Sequence, residues 1–187
     1  MAAAATALRT AGASADWHLN VLVDNTAAIR LYERLGFQVE HRSVALRMAW
    51  ASVARLAADP AAVTAHPIAA AEDDDVERAL GVLSGRLEMA RTRGGYVLRQ
   101  LRDAELAPVG VACFDPAFPG AFPFRVARPA LARQLFDALA PHARPGDLDL
   151  QVVIEDDDAL IDALIAAGAE PRHRLLHYVG RIPGASL

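Results

Sequence analysis

A chain of 187 residues is the length of one ordinary domain or two small ones, and at 53% hydrophobic it can pack a core, which excludes a disordered chain. The net charge is −4, and all 19 basic residues are arginine, scattered along the chain, so there is no basic excess to draw in a nucleic-acid backbone. No stretch approaches the roughly 20 apolar residues of a membrane span, and the Ala-rich start, with Arg9 in it, makes a poor signal peptide.

Residues 2–11 are expected to form a short helix with Gly12 as its stop. Trp17 to Asp24 alternates and is rich in β-branched residues, which predicts a strand. Asn25 is a natural N-cap for the helix that follows. Ala28, Leu31, Tyr32 and Leu35 fall on one apolar stripe of that helix, and Gly36 ends it. Phe37 to Met48 is expected as a strand, with a break around Glu40–Arg42. Residues 49–70 read as a weakly structured join, because Asp59–Pro60 and His66–Pro67 disfavour helix before each proline.

A helix is predicted over 73–92, ended by Gly94–Gly95, then strands at 96–101, 108–114 and 122–126. Pro129 suits the first turn of another helix running to about 140. A strand at 148–154, a helix at 158–167 stopped by Gly168, and a strand at 172–182 complete the chain.

Two segments echo each other. Leu19 to Arg42 and Leu150 to Arg174 align strand with strand and helix with helix, with Gly36 on Gly168 and His41–Arg42 on His173–Arg174. Periodicity alone would not fix the glycine and His-Arg positions, so the pattern marks a repeated domain end. It is too long, and too few in copies, for a solenoid.

The string Asn25-x-x-Ala28-x-x-Leu31-Tyr32-x-x-x-Gly36-Phe37, behind an apolar strand, resembles the late motif of the GNAT-type N-acetyltransferases. The match covers about residues 17–48. The resemblance implies an α/β (α+β) fold: a mixed, mostly antiparallel sheet flanked by helices, splayed open between its fourth and fifth strands to admit acetyl-CoA. It implies that Asn25 contacts the pantetheine arm and that Tyr32 is the general acid that protonates the departing thiolate. A phenol beside the sulfur suits developing negative charge. The residues themselves leave a second reading open for each: Asn25 as a helix cap alone, and Tyr32 as core packing with its hydroxyl at the edge.

The family holds the coenzyme's pyrophosphate with an Arg/Gln-x-x-Gly-x-Gly/Ala loop at a helix N-terminus. Arg9-Thr-Ala-Gly12-Ala-Ser14 imitates that loop but ends in serine and precedes a strand with no helix between. The loop is therefore expected upstream of Met1. Residues 1–58 read as the C-terminal fragment of a GNAT domain, 59–69 as a linker, and 70–187 as a degenerate GNAT-like domain resembling the second domain of bacterial two-domain members. There, Asp156 or Asp157 stands for the Asn, Leu164 for Tyr32 and Ala169 for Phe37, and Phe118–Arg128 carries no phosphate-loop pattern.

Two functions stay open. The chain is an acetyl-CoA-dependent N-acetyltransferase with a small-molecule or peptide amine as acceptor, or it is a non-catalytic interaction module that pairs with itself, as a homodimer, or with another protein. No nucleic acid, membrane or metal is expected as a partner, and with Cys113 the lone cysteine the expected compartment is cytoplasmic. Glu72–Asp75 and Glu155–Asp158 are read as charged helix starts more readily than as metal sites, and His173 with His177 lacks a third ligand. Cys113 reads as an inert buried thiol. The aromatic run Phe114, Phe118, Phe122 and Phe124 packs the interior, or it lines a pocket or interface.

Overall fold

The computed structural model describes residues 15–182, and the helix expected at 2–11 lies outside them. The described chain forms two compact units. One gathers residues up to Ser43 with those from His173 onward, and the other comprises Val44–Arg172.

The first unit holds β1 (Ala15–Leu22), α1 (Thr26–Arg34), the start of β2 (Gln38–Ala49) and most of β8 (Glu170–Ile182), in the order β1-β8-β2. β1 runs antiparallel to β8, with Leu19 opposite Tyr178 and Val21 opposite Leu176. Strand alternation turns Trp17, Leu19 and Val21 to one face, where they meet Ala28, Ile29 and Tyr32 of α1 together with Phe37 and Tyr178. The expected stripe is corrected here. Leu31 and Leu35 are 42% and 55% exposed, and Ile29 takes the inward position instead. The helix is rotated so that i, i+1 and i+4 face the sheet. β2 is also unbroken through 40–42.

The second unit carries the remainder of β2, then β7 (Asp149–Glu155), β6 (Gly120–Val126), β5 (Pro108–Asp115), β4 (Val97–Arg102) and β3 (Thr64–Pro67), in that order. Pairing is antiparallel from β3 through β6 and parallel between β6 and β7. Four helices flank the strands: α2 (Asp73–Leu80), α3 (Arg86–Arg93), α4 (Ala132–Leu139) and α5 (Asp158–Ala166). This is the mixed, mostly antiparallel, helix-flanked architecture that the resemblance implies.

Both faces of β5 are buried, and alternation distributes them. Val111 and Cys113 join Val76, Leu87 and Ala90 of α2 and α3, whereas Ala112 and Phe114 join Leu135 and Phe136 of α4. The α4 stripe is complete: Ala132, Leu135, Phe136 and Leu139 are all buried, and Phe136 stacks on Phe124 at 4.4 Å.

The helix predicted over 73–92 is two helices. Gly81 adopts a left-handed conformation that ends α2, and Gly85, also at positive φ, precedes α3. The carboxylate of Glu77, only 2% exposed, reaches across the turn and accepts the N–H groups of Gly85 and Leu87, both at 2.7 Å. It supplies the N-terminal acceptor that α3 lacks in its own sequence. β3 falls inside the join, where the reading from proline positions expected no element. All four of its residues are exposed, so it carries no apolar alternation to be read.

Arg99 donates to His142 Nε2 at 2.8 Å. A guanidinium only donates, so His142 accepts as the neutral ring. Burial, and then the charge of Arg99, hold its pKa below the ordinary value. The folded state therefore binds the proton less readily than the unfolded chain. This contribution to stability is complete above the unfolded value of roughly 6.5 and is lost as pH falls through the folded one. Urea titrations at pH 7.5 and 5.5 are expected to show a smaller acid loss in His142→Gln than in the parent.

Candidate functional site

The two segments that echo each other in sequence are built alike. In the first, the Asn25 side chain accepts the Ala28 N–H at 3.1 Å, Gly36 stands at φ 82°, and the Phe37 N–H returns to the Tyr32 carbonyl at 3.0 Å. In the second, Asp157 accepts the Leu160 N–H at 2.9 Å, Gly168 stands at φ 106°, and the Ala169 N–H returns to the Leu164 carbonyl at 2.9 Å. The cap geometry makes Asp157, not Asp156, the counterpart of Asn25. Their strands pair across the repeat: β1 with β8 in the first unit, and β2 with β7 in the second.

Asn25 is exposed and spends its side-chain oxygen on the cap. Tyr32 is half-buried. Its ring lies 6.1 Å from Phe37 and 5.8 Å, edge-on, from Tyr178. Burial, followed by the charge of Glu33, pushes the Tyr178 hydroxyl up. Asn25 and Tyr32 thus occupy the capped turn and the sheet-facing side of one helix behind β1, the arrangement on which the motif depends.

Counted from β3, the elements run β-α-α-β-β-β-α-β-α-β, and β6 and β7 are the fourth and fifth strands. They pair only at Gly120–Gln151 and Ala121–Val152. Past these pairs a side chain links the two strands. Arg125 donates to the Glu155 carbonyl at 3.3 Å and to its carboxylate at 3.0 Å. Leu131, Leu160 and Ile161 are buried in one core with Phe124, Val126, Val152 and Ile154 of the two strands.

At the start of α4, where the family's phosphate loop belongs, Asp59 stands instead. Arg128 pairs with its carboxylate, Gln134 donates to its carbonyl at 3.1 Å, and the Arg128 hydrogen bond, then the Ala61 N–H, hold its carboxyl below the usual range. A carboxylate at that helix start opposes a phosphate. The pairing of Arg125 with Glu155 and of Arg128 with Asp59 is not legible in the sequence, because ion pairs across 30 and 69 residues have no local pattern.

The acidic runs are partly absorbed in structure. Asp73 forms a two-pronged pair with Arg91 at 3.0 and 2.8 Å, Glu72 pairs with Arg102, and Asp75 with Arg78. Among the described residues, no group of three or more His, Cys, Asp or Glu is placed to hold a metal ion. His177 stacks on His41 at 4.0 Å, with its Nε2 2.7 Å from Ser43 Oγ. Cys113 is 1% exposed, and its thiol is pushed up to about 12, by burial first and by Asp115 second, so it stays protonated and unreactive.

No protein-family model matches this sequence, and no curated protein matches it. Solved structures do. The chain superposes on a GCN5-related N-acetyltransferase from Sphaerobacter thermophilus with a TM-score of 0.57 at 17% identity, covering 95% of this chain and 63% of that one. A tandem GNAT protein from the clavulanic acid biosynthesis pathway gives 0.60 at 15% identity, covering 99% and 69%. A putative acetyltransferase from Pyrococcus horikoshii gives 0.56 at 16%, covering 91% and 54%. The fold is that of the GCN5-related N-acetyltransferases. The chain spans about two thirds of the length of the first of these structures.

Proposed function

We propose that this chain belongs to an acetyl-CoA-dependent N-acetyltransferase of tandem GNAT organisation, acting on an amine. Residues 1–58 are the end of the catalytic domain in this reading, and 70–187 are a non-catalytic second domain. The supporting observation is the capped strand–helix–strand around Asn25 and Tyr32, within a fold shared with acetyltransferases. Asn25 contacts the pantetheine arm, and Tyr32 gives a proton to the leaving thiolate as the acyl group passes to the amine. In the second copy Leu164 replaces the phenol, and an Arg125–Glu155 ion pair ties β6 to β7, which supports a structural role there.

Thiol release from acetyl-CoA with an amine acceptor tests this directly. Tyr32→Phe is expected to lower kcat about a hundredfold, and Asn25→Ala to raise the KM for acetyl-CoA. An unchanged kcat in Tyr32→Phe removes the acid role. The second reading, an interaction module, draws support from the same missing phenol and ion pair. It predicts a homodimer in sedimentation and no calorimetric signal on adding acetyl-CoA to the 187-residue chain.

A further inference from the structure

The second unit contains a pocket of about 220 Å³ that the transfer chemistry does not use. It lies between α3 and the β5, β6 and β7 strands. Helical spacing builds one wall: Arg86, Met89, Ala90 and Arg93 stand at i, i+3, i+4 and i+7 on α3 and all line it. The opposite wall is the Phe122 ring, with the Arg86 guanidinium 4.8 Å from its centroid. Met89 and Phe118 line the pocket while remaining 47% and 62% exposed, so apolar surface is held in water there.

The charge on this pocket is uncommitted. Arg91, the third arginine of α3, is spent on Asp73 and the Ile68 carbonyl. Arg86 and Arg93 pair with no carboxylate among the described residues. Asp115 also lines the pocket, with one oxygen engaged by the Ala117 N–H at 2.8 Å. Two guanidinium groups against one carboxylate leave a net positive lining. That balance attracts a monoanion and discriminates against an amine. A guanidinium fork matches a carboxylate in geometry, and Phe118 and Phe122 offer faces to a flat apolar body. The volume is below the roughly 300–1,000 Å³ of drug-sized sites, so the ligand is small.

We propose that this pocket binds a small monocarboxylate with a single-ring or similarly compact apolar body, held by Arg86 and Arg93 and seated against Phe122.

Phenylacetate is the probe, and benzylamine is the control with the same ring and opposite charge. Titration of the isotope-labelled 187-residue chain is followed by amide NMR. Phenylacetate is expected to bind in the millimolar range or tighter and to shift the signals of Arg86, Phe122 and Gln151 saturably. Benzylamine is expected to bind at least about tenfold more weakly, and Arg86→Gln and Arg93→Gln each to weaken phenylacetate by about tenfold or more. Asp115→Asn removes the opposing charge and is expected to tighten it. Equal binding of the two probes overturns the proposal, as does the absence of saturable shifts at millimolar phenylacetate. Arginine variants that keep the parent's spectrum and its affinity also overturn it.

Discussion

Phe37→Ala is expected to destabilise the first unit by about 3–5 kcal/mol, the usual cost of emptying a buried aromatic site. Phe37 is 7% exposed and anchors the small cluster of Val21, Tyr32 and Tyr178. Its ring lies flat on Gly180 of β8, so closely that a Cβ built there would sit 2.6 Å from Phe37 Cγ. Glycine is required at 180 by that ring, and its φ is not in the left-handed range. Gly180→Ala should therefore cost about 1–3 kcal/mol by overpacking in the parent. In a Phe37→Ala background the same change should cost almost nothing, because the obstacle is gone. Hydrogen exchange of the β1 and β8 amides, with urea titration of all four proteins, measures the cycle. Additive losses would show that the ring and the glycine do not meet.

Glu77→Ala should cost about 3–5 kcal/mol, because it strips the acceptor from two N–H groups at the start of α3. The carboxylate is almost wholly enclosed, so water does not readily replace it. Glu77→Gln keeps one acceptor oxygen and should lose about half as much. Urea unfolding gives both values. The location of the damage is as informative as its size: amide exchange should accelerate first at Gly85–Ala90, and hardly at all in α4 or α5. A uniform acceleration across the unit would mean that Glu77 acts by general packing, not as a cap held across the turn.

Much of the architecture was legible in the residues because its causes are local. The Asn25 cap, the Gly36 and Gly168 stops, the Pro129 helix start and the β5 and β6 strands follow from side chains acting on backbone within one turn, or from a period of two or 3.6. The repeat was legible for the same reason. What failed did so where a distant partner intervened. The helix over 73–92 broke because Gly81 and Gly85 take positive φ and a carboxylate eight residues away stabilises the turn between them. The stripe on α1 rotated because the sheet beneath selects which side chains are covered. β3 was invisible because its four residues are all exposed and pair only through backbone.

The sequence by itself determined where most helices and strands begin and end, and which chemistry its motif could carry: an amide cap and a phenol on one helix behind one strand. Tertiary structure alone decided how the repeated halves pair, β1 with β8 and β2 with β7, since hydrogen bonds between strands are written in no local pattern. It alone decided that Arg125 meets Glu155, and that Arg86 and Arg93 line one pocket with Asp115. Charges find their partners through space, and their spacing along the chain says nothing of which will meet.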